Sequence, residues 1–220
     1  MNNFYDFKIE NIKDISLVEK NIRKKNLDLF FQNGFPSKKI EDWKFTDLNS
    51  ILEKNFNSIT NKDFTSGNKK LKLIEGFEHN FIFLVNGKLI SNNFDYEDKN
   101  KIFVKDYDHK DKIKLDRQNS LIFLNNALAT GGFTLEVSKN YKLIKPLIIY
   151  NYFSKNLKET IINNKNSIIL NEGSELTLVN YIDNESDNNY MTNTIDNIII
   201  KNVASLKNIF INNSTCGGYF

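Results

Sequence analysis

Ser167-Ile168-Ile169-Leu170-Asn171-Glu172-Gly173-Ser174-Glu175-Leu176-Thr177-Leu178-Val179-Asn180-Tyr181-Ile182 sets a branched, apolar run, Ser167 to Leu170, before a second, Leu176 to Ile182, across the tight corner Asn171-Glu172-Gly173-Ser174. Runs of this composition bounded by Gly, Asn, Asp or Lys read as β-strands. The arrangement recurs downstream, where Thr194 to Ile200 and Leu206 to Ile211 flank Asn202-Val203-Ala204. It is anticipated upstream by Phe133 to Val137 and Leu147 to Tyr152. Longer polar returns such as Asp183 to Tyr190 separate the units. Strand, tight corner, strand and long return is the pattern of a β-solenoid, in which each coil stacks on the last and buries an inward apolar row. A β-sandwich accommodates strands of the same length, and spacing alone does not separate the two.

Towards the N-terminus the pattern changes. Phe81-Ile82-Phe83-Leu84-Val85 runs into Asn86-Gly87 and out through Lys88-Leu89-Ile90. Asn-Gly between apolar runs predicts a hairpin, because a type I′ turn needs φ > 0 at both central residues. Ile102-Phe103-Val104 predicts another strand, and Ser120 to Ala129 a helix that Gly131-Gly132 ends. Asn55 to Lys72 is polar and reads as a loop. Before it, Thr46 to Lys54 predicts a short helix with Leu48, Ile51 and Leu52 facing inward. Ile15, Val18, Ile22, Leu29 and Phe30 recur at helical spacing and predict a longer helix, from about Ile15 to Phe31. The chain thus divides into a helical region, 1–72, a connecting region of hairpin, strand and helix, 73–132, and a solenoid core, 133–220.

Composition narrows the function. With 30 Lys+Arg against 27 Asp+Glu, a net charge of +3 dispersed along the chain argues for a solvated surface and against a nucleic-acid partner. No stretch approaches the ~20 apolar residues of a membrane span, and the N-terminus has no signal-peptide character. Cys216 is the one cysteine, which excludes an internal disulfide and fits a reducing, cytoplasmic setting.

The residues that could carry catalysis are sparse. Gly131-Gly132 and Gly217-Gly218 lack the Lys-Ser or Lys-Thr of a phosphate loop. A Cys-His pair would have to bring Cys216 to His79 or His109, both far from it in sequence. No metal framework can be built from a single cysteine with two histidines distant from it and from each other in sequence. Asp183, Glu185, Asp187 and Asp196 could furnish the carboxylate pair of a carbohydrate-cleaving β-helix enzyme. They lie in or beside an Asn-rich return whose composition is that of a solvated turn.

One segment is more specific. Phe35-Pro36-Ser37-Lys38-Lys39-Ile40-Glu41-Asp42-Trp43-Lys44-Phe45-Thr46-Asp47-Leu48 holds the chain's single tryptophan. Gly34 and Pro36 stop the preceding helix. Thr46 is positioned as an N-cap with Asp47 at the positive end of the next helix. Trp43 is left as an anchor between the two helices. This order resembles the N-terminal signature of the SufB/SufD family, with Pro36, Glu41, Trp43 and Thr46 at the matching positions and Phe45 where tyrosine is frequent. Leu124-Asn125-Asn126-Ala127-Leu128-Ala129 followed by Gly131 and a β-rich run resembles the SufD branch.

The resemblance implies a helical N-terminal region and a right-handed parallel β-helix, here incomplete at its C-terminus as in a truncated chain. It implies a non-catalytic scaffold subunit of iron–sulfur cluster assembly, working with a SufC-like ATPase and a SufB-like paralogue in the cytoplasm. The cluster would be assembled by the complex, with no cofactor bound by this chain, no nucleic acid and no membrane. The four motif residues come over as structural positions, and no catalytic, metal or cofactor residue is carried onto the chain. The alternative is a β-helix enzyme acting on a carbohydrate or acyl substrate.

Overall fold

A computed structural model describes residues 4–62, 69–108, 119–213 and 218–219. Twelve described strands and three α-helices form a mixed architecture that is largely β.

The N-terminal part comprises β1 (Tyr5–Asp6), α1 (Leu17–Asn33), α2 (Leu48–Asn55) and β2 (Ile59–Thr60), with β1 and β2 paired in parallel. Ser16 caps α1, its hydroxyl accepting from the Glu19 amide at 3.1 Å, and Gly34 closes it by donating to the Phe30 carbonyl at 2.7 Å. The face of α1 differs from the one its periodicity predicts. Arg23, Leu27 and Phe30 are buried, whereas Val18 and Ile22 are 70% and 57% exposed. The reason is polar: Arg23 must turn inward to reach backbone carbonyls of α3 (Ser120–Leu128), and this fixes the phase of the helix. The cap of α2 is also displaced by one residue, Asp47 rather than Thr46 accepting from the Ser50 amide at 3.1 Å. Of the predicted loop, residues 63–68 lie outside the described residues, and its first part contains β2.

The hairpin forms as the sequence predicts, from β3 (Asn80–Val85) and β4 (Lys88–Asn93), with φ of +50° at Asn86 and +80° at Gly87. It is antiparallel, as is β5 (Ile102–Asp106) against β6 (Gly131–Val137). The sheet is therefore mixed rather than wholly parallel. Gly131-Gly132 do not terminate α3; they open β6. At Gly132, where φ is +121°, a Cβ would lie 1.7 Å from the Lys165 carbonyl oxygen, so only glycine lets the two backbones meet.

The remaining strands are β7 (Leu147–Phe153), β8 (Ile161–Leu170), β9 (Glu175–Asn184), β10 (Tyr190–Ile200), β11 (Ser205–Asn212) and β12 (Gly218–Tyr219). Every pairing among β6 to β12 is parallel, which excludes two antiparallel sheets face to face. Successive strands alternate between two ladders, β3-β7-β9-β11 and β4-β6-β8-β10-β12, joined through the β3–β4 hairpin. Ile161 pairs with Met191 and Glu175 with Ser205, each 30 residues on, so one coil takes about that length.

Registered rows of side chains point between the ladders. Val137 and Leu170 are fully buried, as is Leu135, with Ile168 beside it in the next rung. Across from them lie Leu147, Ile149, Leu176 and Leu178, all in the same core. Each such side chain contributes about 1.5–3 kcal/mol on burial. On β10 the same rows continue as Ile198 and Ile200, 36% and 49% exposed. A second core joins the N-terminal part to α3 and to the starts of β8 and β10 through Phe30, Leu52, Leu124, Ile161 and Met191.

Candidate functional site

The motif residues converge at one corner. A single 3₁₀ turn, Glu41–Trp43, links α1 to α2, and the Trp43 ring packs half-buried against the N-terminal core. Pro36 is buried beside Phe35, whose ring meets Phe30 edge-on at 5.1 Å. Glu41 is exposed and ion-paired to Lys44. Thr46 is exposed, its amide donating to the Trp43 carbonyl at 2.9 Å. Phe45, 90% exposed, opens onto a shallow depression with Ile51 and Lys54. Pro36 and Trp43 thus set the corner, while Glu41 and Thr46 face outward.

A second constellation sits where the helices meet the ladder. Arg23, 3% exposed, donates through Nη1 to the Ala127 and Ala129 carbonyls at 3.0 and 2.9 Å, and through Nε to Glu19 at 2.9 Å. It thereby satisfies two carbonyls at the end of α3 that lack an intrahelical donor. Asn125, fully buried on the same helix, donates to the Asn164 and Asn193 carbonyls at 3.0 and 2.5 Å and fastens α3 to β8 and β10. The Lys165 ammonium donates to the Asn126 side-chain Oδ1 at 2.6 Å. Burial, and then the nearby Arg23 guanidinium, push the Lys165 ammonium down to about 8. A cleft of about 760 Å³ opens alongside, lined by Arg23, Tyr107 and residues 11–15. Sequence reading missed all three polar residues. Arg23 stands out as a charge four residues before Leu27 and seven before Phe30, on the face those two share, and Asn125-Asn126 as amides inside an apolar helix, but nothing in the sequence marks Lys165.

A third feature is Glu97, 8% exposed. One carboxylate oxygen accepts from Asn80 Nδ2 at 2.8 Å and from the Ile144 and Lys145 amides at 3.0 Å; the other accepts from the Tyr141 hydroxyl at 2.8 Å. These charge-assisted bonds hold the turn after β4 against the approach to β7.

The acidic residues singled out as a carboxylate pair are dispersed. Asp183 and Glu185 line a cavity on the outer face of β7 and β9, whereas Asp196 accepts from Asn166 Nδ2 at 2.8 Å and Asp187 is exposed. Lys69 first, then the Tyr152 hydroxyl, hold Glu185 below the usual carboxylate range. His79 is buried against the Tyr150 hydroxyl at 2.8 Å. Cys216 and His109 lie outside the described residues. Among the described residues no group of three or more His, Cys, Asp or Glu side chains converges.

Residues 2–149, about two-thirds of the chain, match the family model described as the SufBD protein N-terminal region. The chain belongs to the SufBD family. Comparison with curated proteins returns no match. The matched span of this SufBD protein runs from β1 and α1 through the Trp43 corner, the hairpin, α3 and β6 into β7, and so takes in Arg23, Asn125 and Glu97. It places the chain in the setting of SUF iron–sulfur cluster assembly. Among the described residues no helix is long and apolar enough to cross a membrane.

Proposed function

We propose that this protein is a SufD-like, non-catalytic scaffold subunit of the SUF machinery, acting in the cytoplasm beside a SufC-like ATPase and a SufB-like paralogue. Family membership across residues 2–149 carries this reading. The SufD lean rests on Leu124 to Ala129 followed by Gly131 and a β-run. The two parallel ladders and the 30-residue coil support a right-handed parallel β-helix as its body, since crossovers between parallel strands are overwhelmingly right-handed. In this role the chain orders partners and leaves nucleotide hydrolysis to the ATPase. Iron and sulfide are then substrates of the assembled complex.

The enzyme reading has less behind it. The cavity lined by two of the candidate acids, Asp183 and Glu185, has Glu185 engaged by Lys69 and by Tyr152. Co-expression of the tagged chain with the SufC-like and SufB-like subunits of its own source tests the proposal. A stoichiometric complex that matures an apo-ferredoxin is expected. Failure to bind either subunit, or hydrolysis of a carbohydrate or acyl substrate by the chain alone, overturns it.

A further inference from the structure

The outer face of the β3-β7-β9 ladder is aromatic. Phe83, Tyr150 and Tyr181 stand in one registered row, and Tyr152 and Asp183 pair in the next. Tyr150 and Tyr181 meet edge-on with ring centroids 5.7 Å apart. Across this face lies Lys69-Lys70-Leu71-Lys72-Leu73-Ile74, a segment outside every strand. Its grip on the face is made at three kinds of point. The Lys69 ammonium sits 4.3 Å above the Tyr152 ring and pairs with Glu185, whose other oxygen accepts from the Tyr152 hydroxyl. Leu71 and Ile74 pack on the Phe83–Tyr150 cluster. The Ile74 amide donates to the Tyr150 hydroxyl at 2.9 Å. Among the described residues no backbone-to-backbone hydrogen bond ties 69–78 to the sheet. A cavity of about 520 Å³ remains between segment and sheet. The apolar stripe continues beyond it onto β11 as Ile209 and Ile211, which pair with Val179 and Tyr181 and are 37% and 42% exposed.

We propose that this face is a docking site for an extended basic and apolar peptide of a partner protein, and that Lys69–Ile74 is its in-chain occupant. The charges are complementary: the sheet side brings Asp183 and Glu185, the segment three lysines. The site reads a peptide rather than a free amine, because it engages three features at fixed spacing. A carboxylate and a ring take an ammonium at the first position. Apolar rings take the side chains two and five residues on, and a tyrosine hydroxyl takes the amide of the last. A polyamine could satisfy only the first of these. The inference stands apart from the SUF assignment and does not rest on it.

The test is fluorescence anisotropy of a labelled peptide of sequence Lys69–Glu75 titrated against the full chain. A short tether gives the resident segment an effective concentration on the order of millimolar, so the wild-type chain should bind the free peptide weakly. Weakening the resident segment with Lys69→Ala and Ile74→Ala should tighten binding by at least ~10-fold. Adding Glu185→Gln should abolish the gain, and spermidine should not compete. No saturable binding to the folded double variant, indifference to Glu185→Gln, or equal competition by spermidine each overturns the proposal. Should the double variant fail to fold, hydrogen exchange on the wild-type chain decides. The Ile74 amide should exchange faster at millimolar peptide if the segment is displaced, and an unchanged rate refutes the docking.

Discussion

Replacing Lys165 by methionine should stabilise this protein at neutral pH, although it deletes a hydrogen bond. The ammonium is half-buried between α3, Arg23 and the Tyr107 ring, which holds its pKa at about 8 against an ordinary value of 10.5. In the unfolded chain the same group keeps its proton up to the ordinary value. Unfolding therefore takes up a proton between pH 8 and 10.5, and stability rises with pH across that window. Below pH 8 the whole penalty is present, about 3 kcal/mol. Methionine keeps the aliphatic stem and removes the charge. It also removes the bond to Asn126 Oδ1, 2.6 Å long in the wild type and, with a charged donor, worth about 2 kcal/mol. The net expectation at pH 7 is a gain of about 1 kcal/mol, or roughly 2–4 °C in Tm for a chain of this size. At pH 10.5 the wild-type lysine is neutral and keeps its hydrogen bond, so the order of stabilities should reverse. Paired thermal melts of both proteins at pH 7, 9 and 10.5 measure this, because other titrating groups cancel in the difference. A methionine variant that is less stable at pH 7, or whose advantage does not change with pH, refutes the account of a desolvated cation.

Three further outcomes follow from the packing. Glu97→Gln should cost about 3 kcal/mol in urea unfolding, because an amide cannot accept from every donor now facing the carboxylate; a loss under about 1 kcal/mol would mean that the turn after β4 is held by other contacts. Arg23→Met should cost about 3–5 kcal/mol by leaving Glu19 and the end of α3 without their donor, read as a lower urea midpoint, and wild-type stability would contradict the fastening of α1 to α3. Gly132→Ala should cost about 3 kcal/mol or more, since it combines a positive φ with a collision against the Lys165 carbonyl; a normal melting temperature would show that β6 and β8 can part without penalty.

The parts of the fold legible in the sequence are those where apolar pattern and turn chemistry agree. Asn86-Gly87 announced its turn because few other residues take φ > 0 twice in succession. The corners at Asn171–Ser174 and Asn202–Ala204 were equally plain. What was hidden is polar. The first half of β8, Ile161 to Asn166, lies outside the strand predicted at Ser167 to Leu170; it carries three asparagines, and side chains or carbonyls among them are used by α3 and β10. The phase of α1 was misread for the same reason, a buried arginine outranking exposed valine and isoleucine. Of the motif corner, Pro36 and Trp43 could be placed by their bulk and backbone constraint. The choice between Thr46 and Asp47 as cap could not, since both side chains are competent acceptors one residue apart. Glu97 left no trace, because its donors come from residues 17 to 48 positions away and no local pattern encodes them.

The alternating ladders also set which length changes in the gene this architecture can absorb. Extra codons inserted in a corner such as 171–174 only widen an exposed bend, and the rungs on either side keep their frame. A single codon removed from the middle of β8 is different in kind. Side chains alternate between the two faces with a period of two, so everything beyond the deletion would turn inside out along that strand, presenting Ile169 and Asn171 to the space that Ile168 and Leu170 now fill. Drift in coil size among such proteins is therefore confined to the bends, while the strands are inherited as whole, indivisible lengths.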